Sequence, residues 1–278
     1  MRENNRKLRN REERHGGAKP NLWRSFCLAM STFTVIPFPQ YAFHPVDLSW
    51  SLVFFPLAGL VGAAFAGASL FLLRLLGVGV FFRAVVALAL LILSSGAIHL
   101  DGFADTCDAL FSRRDRRVQL EIMRDPHIGV YAVIGTVLLL LTALAAWTEI
   151  LATGRELLIV ASLVYGVFGR SLSGLYSASL PSARGEGMQH AMHERVPKIA
   201  KGTLIVFLVC SALSVIAMAH WSGMIAVGLS LIVFVLFSRF SIKAFGGATG
   251  DLAGFLLSIT EVAGWAVFAL TQRLPAWY

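Results

Sequence analysis

Seven apolar runs, each long enough or nearly long enough to cross a bilayer, restrict what this chain can fold into. They cover residues 50–76, 78–95, 128–151, 157–180, 203–220, 222–237 and 252–271. A membrane-spanning helix needs about 20 predominantly apolar residues. Only 14% of the 278 residues are charged, against about 25% in an ordinary soluble domain. The sequence therefore predicts an all-α, polytopic membrane protein with about seven transmembrane helices.

The residues before the first apolar run differ from the rest of the chain. Residues 1–20 are rich in charge, and we expect a disordered cytoplasmic tail. Residues 21–40 are apolar but contain Pro37 and Pro39, which predict a short interfacial helix that ends near Ile36. Because no linker divides residues 21–278, we expect them to form one integral membrane catalytic domain.

The distribution of basic residues predicts the orientation of the chain in the membrane. Eight of the 24 Lys and Arg residues lie within residues 1–24, and most others lie in short loops between apolar runs. This pattern is typical of charges that face the cytoplasm, and it gives no indication of nucleic-acid binding. We therefore expect a multi-pass protein of the inner membrane, with the N-terminus and the three polar segments on the cytoplasmic side.

A polar segment, residues 98–130, contains six of the 16 acidic residues of the chain. Asp101, Asp105 and Asp108 follow one another at spacings of four and three, which place them on one face of a helix. Carboxylates this close repel one another unless a cation lies between them, and Mg²⁺ is usually bound by a few carboxylates plus substrate phosphate. The spacing favours a Mg²⁺–phosphate site, at which Gly102 would let substrate approach the backbone. A solvated acidic helix end is the alternative.

Other polar residues of this segment are open to more than one interpretation. His99 precedes Asp101 by two residues, so it points away from the aspartates and could be a nucleophile, a proton carrier or an interfacial histidine. Basic side chains that follow the aspartates could bind phosphate or face anionic lipid, namely Arg113, Arg114, Arg116 and Arg117.

Further along the same segment, Glu121, Arg124 and Asp125 recur at helical spacing before a proline. Helical spacing of this kind allows side chains to act together. They could contact substrate, or they could form a structural network of ion pairs. The sequence leaves these two interpretations open.

Two later segments provide further candidates. Arg170 lies at membrane depth, where a charge needs a partner or a cavity, and with Arg184 and Glu186 it could contact substrate phosphates. A glycine-rich turn at residues 246–251 opens a helix, where backbone N–H groups can hold a phosphate; its candidate residues are Gly250 and Asp251. Together these features favour a Mg²⁺-dependent phosphotransferase that uses a diphosphate donor.

The polar segment also resembles a known family. S-G-A-I-H-L-D-G-F-A-D-T-C-D-A-L-F (95–111) and L-E-I-M-R-D-P-H-I-G (120–129) are similar to the motif of the cobalamin synthases, the adenosylcobinamide-GDP ribazoletransferases. Shorter similarities follow at G-R-S (169–171), A-R-G-E-G (183–187) and G-G-A-T-G-D (246–251). The similarity extends over almost the whole chain after the tail.

The resemblance implies the last assembly step of the cobalamin nucleotide loop at the inner membrane. The donor would be adenosylcobinamide-GDP, the acceptor α-ribazole or its 5′-phosphate, the cofactor Mg²⁺ and the leaving group GMP. The resemblance assigns metal binding to Asp101, Asp105 and Asp108, and a catalytic role to the last two and His99. The resemblance implies substrate binding by the other candidate residues, which are Gly102, Glu121, Arg124, Asp125, Arg170, Arg184, Glu186, Gly250 and Asp251. Association with other late cobalamin enzymes and homo-oligomerisation stay open.

The chain departs from the family pattern at four positions. Ser95 and Ala109 stand where glycine is usual, and both replacements look tolerable. Val35 and Ser258 stand where we expect Arg and Glu, so charged groups are lost. These two departures keep open a catalytically inactive scaffold of the pathway. A cation transporter is the other alternative, although its site would belong near the middle of the bilayer.

Overall fold

Helices make up almost all of the ordered architecture. The structure, a computed structural model, describes residues 20–41, 44–185, 190 and 196–272. Within these residues it contains nine helices, which are α1 (Leu22–Phe33), α2 (Pro45–Leu75), α3 (Val80–Leu93), α4 (Ile98–Phe111), α5 (Arg116–Ile122), α6 (Val130–Ala152), α7 (Glu156–Ser179), α8 (Lys198–Phe245) and α9 (Gly250–Thr271). The all-α prediction is confirmed. The predicted disordered tail, residues 1–20, lies outside the described residues except for residue 20.

Helix α1 is short, as the sequence predicts, and it packs against α2. The side chain of Asn21 caps it by accepting a hydrogen bond from the Arg24 N–H at 3.1 Å. The helix ends at Phe33, because Thr34 adopts an extended conformation three residues before Pro37. Its 12 residues span about 18 Å, less than the roughly 30 Å core of a bilayer. A crossing by this helix alone is therefore excluded.

Five of the described helices are long and apolar enough to cross a membrane, namely α2, α6, α7, α8 and α9. Helix α3 has only 14 residues, about 21 Å, so the predicted span at 78–95 is not a full crossing by itself. It joins α4 at an 85° bend. Together the two helices are long and apolar enough to form one broken span or a re-entrant loop. The protein is thus a multi-pass membrane protein, and the count of seven spans stays a prediction.

Helix α8 is folded back on itself. Its 48 residues would extend about 70 Å as a straight helix. However, His220 has the non-helical angles φ 51° and ψ −129°. A Cβ added to Gly223 would lie 2.7 Å from the Val215 carbonyl oxygen. In a straight helix, residues eight positions apart lie about 12 Å from each other along the axis, so this contact requires a reversal of the chain. The chain therefore reverses at His220, between the two runs predicted from the sequence, 203–220 and 222–237.

Helix α7 lies at the centre of the bundle and contacts α2, α8 and α9. Small residues allow α2 and α7 to approach each other closely, since a Cβ on Gly59 of α2 would lie 3.0 Å from the carbonyl oxygen of Gly166 in α7. Two tyrosines of α7 form hydrogen bonds with the part of α8 that follows His220. Tyr165 donates to the Ala226 carbonyl at 3.0 Å, and the Tyr176 hydroxyl lies 2.5 Å from the Ser241 hydroxyl. These buried contacts fix the scaffold beneath the polar loops.

The three polar segments meet at one end of this bundle. The segment after α7 forms a two-residue parallel bridge with the glycine turn before α9. Ala248 N–H donates to the Pro181 carbonyl at 2.8 Å, and Ala183 N–H donates to the Ala248 carbonyl at 2.9 Å. Arg116 of α5 reaches the Ala183 carbonyl at 3.4 Å. Backbone pairing therefore joins two of the polar segments, and the Arg116 side chain joins the third to them.

Candidate active site

The acidic residues of α4 lie next to the first turn of α9. Gly102 is at the crossing point, where an added Cβ would lie 2.8 Å from the Asp251 Cα. Gly102 is buried, so its lack of a side chain serves helix packing, and the room that it would leave for substrate stays a prediction. The close crossing brings Asp251 to the helix face that carries Asp101 and Asp105.

Asp105 lies at the centre of this group of charges. The carboxylates of Asp101, Asp108 and Asp251 are close enough to repel its negative charge, and Arg184 is close enough to attract it. Asp101 is exposed and Asp105 is half-buried. Within the described part of the chain, neither Asp101 nor Asp105 accepts a hydrogen bond from another residue. Both carboxylates are thus available to a cation or a substrate.

Asp108 has a different environment from the other two aspartates of α4. Its carboxylate accepts hydrogen bonds from the backbone N–H groups of Gly129, at 2.6 Å, and Ala132, at 2.8 Å. These donors belong to the first turn of α6, where N–H groups have no partner within the helix. Asp108 therefore caps α6 and joins it to α4. The metal-binding and catalytic roles assigned to Asp108 stay predictions.

The donors around Asp105 fit a Mg²⁺ ion that substrate helps to hold. Among the described residues, no group of three or more His, Cys, Asp or Glu side chains is arranged to hold a metal ion by itself. Mg²⁺ does not need such a cage, since it is commonly bound by one or two carboxylates together with substrate phosphates and water. Asp101 and Asp105 offer that donor set.

Arg184 joins the loop after α7 to the start of α9. Its guanidinium lies 2.9 Å from the Asp251 carboxylate, and both side chains are largely buried. It also reaches the Leu120 carbonyl oxygen of α5 at 3.5 Å. Thr249 caps α9 by accepting from the Leu252 N–H at 3.1 Å. Arg184 and Asp251 therefore lie together near the aspartates, and Gly250 opens α9 as the sequence predicts.

Glu121 and Asp125 are both engaged in local ion pairs. Glu121 lies 3.1 Å from Arg117 one turn earlier, and Asp125 lies 2.6 Å from His127. Hydrogen bonds from the backbone and side chain of His127 hold the pKa of Asp125 below its ordinary value. These contacts favour the structural interpretation of this segment. Arg124 lines a cavity together with Arg117 and Glu121, and its contact with substrate stays a prediction.

Arg170 does not lie beside Arg184, contrary to the grouping suggested by the sequence. It is buried inside the bundle, 2.9 Å from Glu261 and 3.1 Å from the Gly166 carbonyl oxygen. Asp251, the partner of Arg184, precedes Glu261 by ten residues on α9, so the two pairs lie about 15 Å apart along that helix. The membrane interior explains the pairing, because an unpaired charge there is costly.

His99 lies away from the three aspartates of α4. Its ring packs between Phe33 and Phe55, with centroid distances of 6.3 Å and 5.5 Å. It borders an enclosed cavity of about 60 Å³ together with Arg170 and Glu261. The two-residue offset turns His99 to the opposite face of α4, as the sequence predicts, and its catalytic role stays a prediction.

The two departures that remove charge border the turn between α3 and α4. The Val35 N–H donates to the Ser94 carbonyl at 2.9 Å, and the Val35 side chain lies next to Gly96. The Ser258 hydroxyl donates to the His99 carbonyl at 3.4 Å. The contacts of both residues lie at or next to the bend before α4, away from the aspartates.

The two departures from glycine lie in buried positions. Ser95 borders the enclosed cavity next to His99, and its hydroxyl donates to the Ile92 carbonyl at 2.9 Å. Ala109 is fully buried, in a cluster with Tyr176 and Leu252. Glu186, the last of the predicted site residues, lies outside the described residues.

Comparison with known proteins places the chain in a family. The sequence model described as cobalamin-5-phosphate synthase matches residues 25–269. The chain belongs to the cobalamin-5-phosphate synthase family. The match covers all of the described helices, apart from the first three residues of α1 and the last two residues of α9.

Curated relatives of this family share most of their length with the chain. A protein of Lachnoclostridium phytofermentans is 30% identical over 89% of this chain and 92% of its own length. One of Clostridium perfringens is 30% identical over 87% and 96%, and one of Pseudomonas syringae is 35% identical over 81% and 90%. All three are named adenosylcobinamide-GDP ribazoletransferase. No solved structure matches the chain.

Sequence reasoning missed two features of this cobalamin-5-phosphate synthase family site. The first is the bridge between Ser182 and Ala248, which sets Arg184 against Asp251. The second is Arg116, whose guanidinium packs directly on the backbone of Gly246. Gly246 has φ 80°, and only glycine leaves room for the guanidinium there, which the Gly-Gly pair at 246–247 does not reveal by itself.

Proposed function

We propose that this protein is an adenosylcobinamide-GDP ribazoletransferase, which joins the cobinamide phosphate of its donor to α-ribazole or α-ribazole 5′-phosphate. One observation carries the proposal beyond family membership. Asp101 and Asp105, two carboxylates that accept no hydrogen bond from any residue the structure describes, lie beside the Arg184–Asp251 pair at the polar end of a membrane bundle. Carboxylates and a guanidinium in one place suit a substrate that carries a diphosphate.

The reaction exchanges the phosphoanhydride bond of the donor for a new phosphate ester bond. A ribose hydroxyl of the acceptor attacks the phosphorus that carries the cobinamide, and the P–O bond to the second phosphorus breaks. GMP leaves with the bridging oxygen, and the acceptor hydroxyl loses its proton. In such transfers, positioning and electrostatic stabilisation supply most of the catalysis.

The residues of α4 and α9 divide these tasks. Asp101 and Asp105 would hold Mg²⁺, which when bound neutralises charge on the diphosphate and its leaving oxygen. One carboxylate of this group, Asp105 or Asp108, accepts the hydroxyl proton. Arg184 orients the phosphates, and Asp251 holds the guanidinium of Arg184 in place.

The site faces the cytoplasm of the inner membrane in this proposal. All three polar segments meet at one end of the bundle, and each carries Lys or Arg, which favours the cytoplasmic side. A water-soluble nucleotide donor is available there. The convergence at the end of the bundle, away from its centre, argues against a transport site.

Turnover by the purified protein tests the proposal. The protein in detergent is incubated with adenosylcobinamide-GDP, Mg²⁺ and either α-ribazole or its 5′-phosphate, and corrinoid product and GMP are quantified by chromatography. We expect equal amounts of both products, and none when EDTA replaces Mg²⁺. Folded protein that forms neither product from either acceptor would contradict the proposal and favour an inactive scaffold.

A further inference from the structure

A distal cleft lies at the end of the bundle opposite the aspartates, where α2 and α6 end and α3 and α7 begin. Its volume is about 620 Å³, within the range of roughly 300–1,000 Å³ that is typical of ligand-sized sites. Helix α7 rises about 36 Å from Glu156 to Ser179, enough to cross the roughly 30 Å hydrocarbon core of a bilayer. Because Glu156 lines the distal cleft, the mouth of the cleft lies near the membrane surface.

The walls of the distal cleft are apolar below its mouth. Phe71 of α2 and Val160 of α7 are among the side chains that line them. The cleft closes at Gly67, where an added Cβ would lie 3.3 Å from a methyl group of Leu163. Seven residues of α2, about 10 Å, separate Gly67 from Arg74 at the mouth. An apolar slot of this depth suits a hydrocarbon chain, since burial of apolar surface is favourable.

The charged groups of the distal cleft lie at its mouth. Arg74 of α2 and Glu156 of α7 pair with each other at 2.9 Å. Arg83 of α3 differs, because its buried Nε atom has no hydrogen-bond partner and its guanidinium forms no ion pair within the described part of the chain. A partly buried guanidinium without an anion is costly beside lipid. Arg83 is therefore the group that an incoming anion would stabilise.

The position of Arg83 in its helix also favours an anion. Arg83 lies in the first turn of α3, and Gly79 at the N-cap provides no side-chain hydrogen bond to that turn. The first N–H groups of a helix have no partner within it and carry partial positive charge. An arginine beside a helix N-terminus is well suited to a phosphate.

We propose that the distal cleft binds one phospholipid, with its phosphate at Arg83 and an acyl chain between α2 and α7. Free phosphate would leave the apolar walls without a partner, and a lipid that lacks phosphate would leave Arg83 without an anion. The bound lipid would connect α3 to α2 and α7. Helix α3 leads through the 85° bend into α4. The proposal does not depend on the enzymatic activity proposed above.

Lipid binding by the purified full chain tests this proposal. Detergent exchange removes native lipid, and native mass spectrometry then follows binding of phosphatidylglycerol or of diacylglycerol with the same chains. We expect one bound phosphatidylglycerol and binding of diacylglycerol that is about tenfold weaker or more, the effect of losing a charge-assisted contact. Arg83→Gln should weaken phosphatidylglycerol binding by a similar factor, about tenfold. Equal affinity of wild type and Arg83→Gln would overturn the proposal.

Arg155→Gln is the matched control for general attraction between basic side chains and an anionic lipid. Arg155 is exposed at the same end of the bundle, where it donates to Gln272, and it lies outside the lining of the distal cleft. We expect Arg155→Gln to bind phosphatidylglycerol as the wild type does. A loss equal to that in Arg83→Gln would reveal general attraction to a basic surface and would overturn the site.

A second pair of variants tests the apolar half of the distal cleft. Val160 lines the cleft and is 42% exposed, so Val160→Trp adds an indole to the slot without replacing a core residue. We expect Val160→Trp to weaken phosphatidylglycerol binding, and Val206→Trp on α8, at a position 60% exposed, to leave it unchanged. Unchanged binding in Val160→Trp would overturn the position of the acyl chain. Thermal unfolding without added lipid checks that each variant is folded.

Two further outcomes would also reject a phospholipid. Binding of glycerol 3-phosphate as tightly as phosphatidylglycerol would mean that the distal cleft takes a soluble phosphate. Absence of bound phosphatidylglycerol in the wild type would mean that the cleft is closed to lipid. Residues 273–278, which follow α9 and lie outside the described residues, could close it in that case.

Discussion

Arg184 and Asp251, which are 67 positions apart in the sequence, form an ion pair of 2.9 Å at the edge of the aspartate site. The pair exists because the loop after α7 and the turn before α9 are joined by backbone hydrogen bonds. Asp251 in turn lies against Gly102 of α4. One chain of contacts thus connects the guanidinium to the helix that carries the aspartates.

Removal of the Arg184 charge should reduce activity strongly. We expect Arg184→Gln to lower kcat/KM for the donor about 10- to 100-fold, because a charge-assisted hydrogen bond contributes about 1.5–3 kcal/mol. Initial rates of GMP release over a range of donor concentrations measure the change. Arg74→Gln is the control, since its exposed ion pair with Glu156 contributes little. Similar rates in the two variants would contradict the role given to Arg184.

Asp108 should contribute mainly to stability through its contact with α6. We expect Asp108→Ala to lower the free energy of unfolding by about 1–2 kcal/mol, the usual effect of losing a helix cap. Asp108→Asn should lose less, because its amide oxygen still accepts one of the two hydrogen bonds. Unfolding in mixed detergent–SDS micelles measures both. Unchanged stability together with a higher Mg²⁺ requirement would instead support the metal-binding role predicted from the sequence.

Gly102 should tolerate no side chain. An added Cβ would lie 2.8 Å from the Asp251 Cα, so Gly102→Ala must push α9 away from α4. We expect a loss of about 1–3 kcal/mol in the free energy of unfolding, together with reduced turnover. Gly228→Ala in α8 is the control, since nothing lies within 4 Å of its added Cβ. If both alanine variants behave alike, the close packing of the two helices is wrong.

The buried Arg170–Glu261 pair should matter for folding more than for phosphate binding. Arg170→Met leaves the carboxylate of Glu261 without its partner inside the bundle, and we expect destabilisation of about 3–5 kcal/mol. The double variant Arg170→Met/Glu261→Met should recover much of this loss. Thermal unfolding and GMP affinity are measured together. A large loss of GMP affinity in stable Arg170→Met protein would restore the substrate role predicted from the sequence.

Periodicity and hydropathy predict much of this fold from the sequence. The apolar runs at 50–76, 128–151, 157–180 and 252–271 correspond closely to α2, α6, α7 and α9. The run at 78–95 failed as a full span, because Gly96 and Ala97 adopt left-handed conformations and the chain turns by 85° into α4. A sharp bend of this kind depends on tertiary packing, which a hydropathy pattern does not contain.

The candidate site is only partly predictable for a similar reason. The spacing of Asp101 and Asp105 identified one helix face, and helical geometry alone is enough for that. The spacing could not show that Asp108 caps α6, because its partners are 21 and 24 positions away. It also could not separate Arg170 from Arg184, since each arginine is placed by its own partner on α9.

The most direct test of the account compares two single changes of aspartate to asparagine. Asp105→Asn removes the carboxylate at the centre of the site, and Asp115→Asn removes an exposed one whose side chain makes no capping hydrogen bond to α5. GMP and corrinoid product are quantified for both variants and the wild type over a Mg²⁺ titration. The account predicts loss of turnover by at least about 100-fold in Asp105→Asn, with wild-type rates in Asp115→Asn and unchanged unfolding in both. Near-wild-type turnover in Asp105→Asn would contradict it.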